Sequence, residues 1–144
     1  MKNLVKTIAA VIALTSSFGV AFAVPSVDKS TDMPGWVRIS VSDEYSVYAN
    51  FGKLKKQGNK MEIFWLSDFN EAQTTTPIPY LSMLTLSEIN CTESLMRTKK
   101  LVWFGGNMAG GETLHEKDLS NNPKWIQIVD GSVSRKLFNL GCVK

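Results

Sequence analysis

His115 is the only histidine in a chain of 144 residues, so any imidazole-based acid–base chemistry must run through it. A Ser–His–Asp triad would need a nucleophile motif such as G-x-S-x-G, and none accompanies it. A zinc-binding H-E-x-x-H would need a second histidine at position 119, where Leu119 stands. His115 therefore reads as a solvated loop residue in the charged stretch His115-Glu116-Lys117-Asp118. The run Gly105-Gly106-Asn107-Met108-Ala109-Gly110-Gly111 looks at first like a phosphate cradle. It continues into Glu112, not into Gly-Lys-Ser/Thr, and a carboxylate there would repel phosphate. A tight, glycine-dependent turn is the plainer expectation. No catalytic residue, metal site or cofactor is expected, and the chain does not read as an enzyme.

Cys91 and Cys142 offer the other chemistry, and the compartment decides which. Lys2 and Lys6 form a positive start, Ile8 to Val20 is mostly small and apolar, and Ala21-Phe22-Ala23 fits a signal-peptidase site. Thr15, Ser16 and Ser17 interrupt the apolar run, which is short of the ~20 residues of a membrane span. Residues 1–23 thus read as a cleavable signal peptide. No cysteine follows the run, so lipidation at the cleavage point is not indicated, and no stable span remains after cleavage. In an oxidising compartment an even cysteine pair reads as a disulfide. The competing expectation is two free or metal-binding thiols, which the wide spacing and the lone histidine disfavour. Closing a loop of about 50 residues would add roughly 4 kcal/mol by the chain-entropy model.

Charge narrows the partners. The chain carries 16 basic and 13 acidic residues, and two of the lysines leave with the signal. A nearly neutral mature chain gives no argument for nucleic acid. Lys53, Lys55, Lys56 and Lys60 cluster locally, and Lys99 and Lys100 follow later. These six are the candidate partner contacts, against the alternative of an ordinary solvated face.

The elements that would position them follow from periodicity. Residues 24–34 are polar and carry Pro25 and Pro34, a flexible leader to the domain over 35–144. Trp36–Ser42 and Tyr45–Asn50 alternate apolar and polar residues, which predicts a hairpin. Phe51–Gln57 suggests a turn or short helix, and Gly58-Asn59 a turn. Lys60–Phe69 predicts a long strand with a bulge near Ser67. Leu81–Thr92, Leu95–Phe104 and Lys124–Ile128 predict further strands, and Gly105–Asn122 an irregular stretch. Ser132 is a suitable N-cap for a helix with Val133, Leu137 and Leu140 on one side and Gly141 as its stop. Trp36, Trp65, Trp103 and Trp125 all fall in predicted strands. The expected fold is α+β: a single antiparallel sheet of about six strands with a C-terminal helix packed on it and tied by the cysteine pair.

Trp36-Val37-Arg38-Ile39-Ser40, Tyr48-Ala49-Asn50, Gly58-Asn59 before Trp65-Leu66-Ser67-Asp68-Phe69, then Gln73, Tyr80-Leu81-Ser82, Ile89-Asn90-Cys91, Met108-Ala109-Gly110-Gly111-Glu112, Trp125 to Ser132 and Cys142 recur in one order. This pattern resembles the surface-adhesin protein E family of bacterial envelope proteins. Two departures are visible: Ile128-Val129-Asp130 stands where prolines are usual, and there is no lipid-accepting cysteine. The resemblance implies the same sheet, helix and disulfide. It also implies non-enzymatic adhesion to host matrix or serum proteins such as vitronectin, laminin and plasminogen, with self-association as a homodimer. The alternative is a periplasmic or envelope accessory protein with a bacterial partner or small ligand. Export leaves periplasm, cell surface and medium as destinations.

Overall fold

The computed structural model describes residues 33–121 and 124–143. The expected signal segment 1–23 and most of the expected leader lie outside these residues. Strands β1 (Trp36–Val41), β2 (Tyr45–Gln57), β3 (Lys60–Gln73), β4 (Tyr80–Asn90), β5 (Leu95–Phe104) and β6 (Thr113–Asp118) pair in chain order, each antiparallel to the one before. A two-residue strand, β7 (Ile126–Gln127), pairs with the start of β5, and the helix α1 (Val133–Cys142) closes the chain. The expected sheet-and-helix architecture is present. No helix among the described residues is long and apolar enough to cross a membrane.

Alternation sorts the side chains. Ala49, Met61, Ile63, Ile89 and Met96 occupy one face and pack with Ile128 and Leu137 as the core under the helix. The opposite face carries Tyr48, Phe64, Leu66, Leu84, Leu86 and Val102. The Gly105–Gly111 loop folds over one end of it. These will be called the helix face and the open face.

Several local expectations are corrected. Phe51–Gln57 is neither turn nor helix but the second half of β2, whose ladder to β3 resumes at Lys55 after a bulge beyond Asn50. The β3–β4 register runs unbroken from Lys60 to Asp68, so there is no bulge at Ser67; the irregularity lies between Asp68 and Gln73. The stretch after Phe104 contains a 3₁₀ turn, Asn107–Ala109, and then β6.

The helix begins as its sequence dictates. The Ser132 hydroxyl accepts the backbone N–H of Arg135 at 3.2 Å. Its end differs, because Gly141 is inside the helix and Val143 follows as the cap. Leu140 is exposed, so the packed side is Val133, Leu137, Phe138 and Gly141 itself. A Cβ on Gly141 would lie 2.0 Å from Met61 Sδ and 2.5 Å from its Cε. Glycine is there to let helix and sheet approach. In a free helix Gly→Ala would gain about 1 kcal/mol. Here Gly141→Ala is expected to destabilise by about 1–3 kcal/mol, because fully buried Met61 must move inside a packed core. Urea denaturation reads the sign, and a stabilised variant would contradict this packing.

Cys91 and Cys142 are bonded, with Cα atoms 5.4 Å apart and a sequence separation of 51. Cys91 opens the β4–β5 turn, and its N–H donates to the Asn59 carbonyl at 2.8 Å in the neighbouring β2–β3 turn. Asn90 organises that turn by accepting the N–H groups of Thr92 and Glu93, both at 3.1 Å. The bond therefore pins the last helical turn to two hairpin ends at once.

Candidate functional site

The pleat separates the six lysines. Lys55 pairs opposite Glu62 and shares the open face, whereas Lys56 pairs opposite Met61. Both are exposed, as is Lys53. None of Lys53, Lys55 and Lys56 makes an ion pair among the described residues. Lys60, next to the tight turn at Gly58, and Lys99 on β5 join Lys55 around a cleft of about 270 Å³ completed by Gln57, Glu62 and Glu88. Lys100 lies outside this group and pairs with Glu116 at 2.7 Å.

The floor of the cleft is an ion network. Arg97 Nη2 donates to Glu88 Oε2 at 2.9 Å. Lys60 Nζ lies 3.4 Å from Glu88 Oε1 and Lys99 Nζ 3.8 Å from Oε2. Lys99 also binds Glu62 directly. The Glu88 side chain is only 7% exposed. Burial works against its ionisation, but the hydrogen bonds and charges of Arg97 and then Lys60 outweigh it and hold the pKa below the usual carboxylate value. The Trp125 ring covers the network, with Arg97 Cζ 4.9 Å and Lys60 Nζ 5.9 Å from its centre. Reasoning from lysine clustering missed Glu62, Glu88, Arg97 and Trp125. The available signal was Glu88 itself, a lone carboxylate among Leu84, Leu86 and Ile89 that needs a buried cation.

On the helix face, beyond the reach of α1, a row of rings crosses five strands. Tyr45 on β2 lies 5.9 Å from Phe69 on β3, which lies 5.7 Å from Tyr80 at the start of β4. Tyr80 is 6.5 Å from Trp103 on β5, and Trp103 is 5.2 Å from His115 on β6. His115 is thus a strand residue stacked on Trp103, not a loop residue. At the Tyr45–Phe69 end an open cleft of about 550 Å³ is walled by Asp43, Glu44, Asn70, Glu71 and Gln73.

The glycine-rich loop is committed to the fold. The N–H of Met108 donates to Asp68 Oδ1 at 2.6 Å and that of Ala109 to Ser82 Oγ at 3.0 Å. Gly106 and Gly110 N–H groups close the turn on Gly110 and Asn107 carbonyls. These donors face protein acceptors, as a structural turn requires.

A family model described as surface-adhesin protein E matches residues 36–143. A search of curated proteins finds no match. Among solved structures, crystal form II of Haemophilus influenzae protein E superimposes with a TM-score of 0.59 at 9% identity, covering 76% of this chain and 88% of that one. Protein E from non-typeable Haemophilus influenzae gives 0.57 at 8% identity, covering 78% of each chain. At such identity the structural likeness speaks to fold alone.

Proposed function

The chain belongs to the surface-adhesin protein E family, and on that premise we propose that it is an exported, non-enzymatic binding module whose partner is a host matrix or serum protein such as vitronectin, laminin or plasminogen. The observation that carries this is the family match across the entire sheet, helix and disulfide, residues 36–143. Cleavage after Ala23 without lipidation, a leader over 24–34, a binding domain over 35–144 and a homodimeric state belong to the same proposal. The contact surface on this reading is the cleft of Lys55, Lys60 and Lys99 together with Lys53 and Lys56 on the same hairpin. Lys100, held by Glu116, contributes least.

Steering by exposed charge makes association salt-dependent. Purified protein should bind vitronectin, laminin or plasminogen saturably at low salt. The variant Lys55→Glu/Lys56→Glu should weaken that binding about tenfold, with much of the difference lost at 1 M salt, where the Debye length is about 3 Å. Both side chains are exposed and make no ion pair among the described residues, so the fold is expected to survive. Absence of saturable binding to all three would end the host-adhesin proposal. Added protease should also clip the protein on intact cells; full protection would assign it to the periplasm as an accessory protein.

A further inference from the structure

The ring row and its acidic cleft lie on the opposite face and at the opposite end of the sheet from the lysine cleft. The hairpin β2–β3 places Tyr45 and Phe69 as direct cross-strand partners at one end and Lys55 and Glu62 near the other. Tyr45, Phe69 and Trp103 are half-buried, His115 is exposed and Tyr80 between them is buried, so the four rings flanking Tyr80 offer contact area that α1 does not cover.

We propose that this row is a docking groove for an extended peptide segment of a partner protein, which sets an arginine or lysine side chain into the cleft formed by Asp43, Glu44 and Glu71. The inference rests on the reading of the chain as a protein-binding module and adds a site and a ligand chemistry to it.

Charge complementarity selects the cation. The cleft wall holds three carboxylates and no basic residue. None of the three carboxylates makes an ion pair among the described residues, whereas Lys60, Lys99 and Lys100 on the other face do. The neighbouring amides are occupied: Asn70 Nδ2 donates to the Asp43 carbonyl at 2.7 Å, and Gln73 Nε2 to the Glu71 carbonyl at 3.1 Å. The carboxylates are what remains to meet a ligand, and the Tyr45 ring forms part of the same wall. A guanidinium or ammonium group satisfies carboxylates by charge-assisted hydrogen bonds and an aromatic ring by cation–π contact.

The row of rings selects the extended peptide. Successive rings across a sheet leave shallow grooves, the surface on which proline-containing extended segments dock in other modules. At the far end of the row the chain's own proline-containing loop, Thr76, Pro77 and Ile78, is bent and lines a cavity of about 420 Å³ with Trp103, Leu114, His115 and Lys117.

The test is fluorescence polarisation of a labelled peptide of four Arg-Pro repeats against the purified protein. Saturable binding is expected, with about tenfold loss for Asp43→Asn/Glu44→Gln/Glu71→Gln, since exposed charges contribute modestly. The same peptide with glutamine for every arginine should bind at least as weakly as the Arg-Pro peptide does to the triple variant. Lys55→Glu/Lys56→Glu should leave peptide binding unchanged, which separates this site from the matrix-binding surface proposed above. Circular dichroism checks that each variant is folded. Equal binding of the two peptides, or an unaffected triple variant, overturns the proposal. So does saturable binding of a neutral oligosaccharide that Trp103→Ala abolishes and the carboxylate substitutions do not, since that would assign the rings to a glycan.

Discussion

Protein carrying Cys91→Ser and Cys142→Ser is expected to unfold at least about 10 °C below the disulfide-bonded protein. A native disulfide in a small exported domain contributes about 2–5 kcal/mol. For a domain of this size each kcal/mol moves the midpoint by about 4 °C. The cost should sit at the upper part of the range because the bridge is the only covalent tie on α1, a helix of 10 residues. Isolated helices shorter than ~12–15 residues are marginal in water, so this one depends on being held. Its removal would expose Ala49, Met61, Ile63 and Met96 together. Calorimetry of oxidised and reduced wild type beside the double variant measures the effect. A midpoint within 2–3 °C of wild type would mean that packing of Leu137 and Val133 alone holds the helix.

The second large effect is expected at Arg97. Arg97→Ala leaves buried Glu88 with only the longer contacts to Lys60 at 3.4 Å and Lys99 at 3.8 Å. Removing one partner of a buried pair typically costs about 3–5 kcal/mol, and the remaining lysines place this case near the lower end. Trp125 also loses the cation beneath its ring, so its fluorescence should report the change. The same network sets an acid limit. Glu88 has a folded-state pKa below its unfolded value, so its contribution is fully present above about 4.5 and is lost as pH falls through the folded value. Glu88→Gln should remove that part of the acid destabilisation while lowering stability at neutral pH. Urea midpoints from pH 7 to pH 3 for wild type and both variants decide it. Parallel curves for wild type and Glu88→Gln would show that other carboxylates set the acid limit.

The features legible in the sequence are those whose cause is local. Ser132 caps its own helix, and alternation marks Trp36–Val41 and Tyr45–Asn50 without reference to any partner strand. Cys91 and Cys142 needed only an oxidising compartment to be paired. Phe51–Gln57 failed because its strand character is not local. Its Lys55-Lys56-Gln57 end is polar on both sides of a hairpin tip, and the ladder to Lys60–Glu62 keeps it extended. Gly141 failed for a similar reason: a helix stop and a close-packing site ask for the same residue, and only Met61 distinguishes them. The lysine group was half legible. Proximity in sequence brought Lys53, Lys55 and Lys56 together, and the pleat then put Lys55 and Lys56 on different faces. The ring row was not legible at all, since Tyr45, Phe69, Tyr80, Trp103 and His115 become neighbours only once the register of five strands is fixed.

The strand order has a consequence in time. Each of β2 to β6 pairs with the strand made just before it. A chain that appears N-terminus first can therefore add one hairpin at a time through β6, and only the two-residue β7 must return to an earlier strand, β5. Such nearest-neighbour wiring keeps loop-closure costs small and folding fast for an all-antiparallel sheet. The helix and Cys142 arrive last, when Cys91 already sits in a formed turn. Oxidation then has a single available partner and acts as a latch on a sheet already assembled.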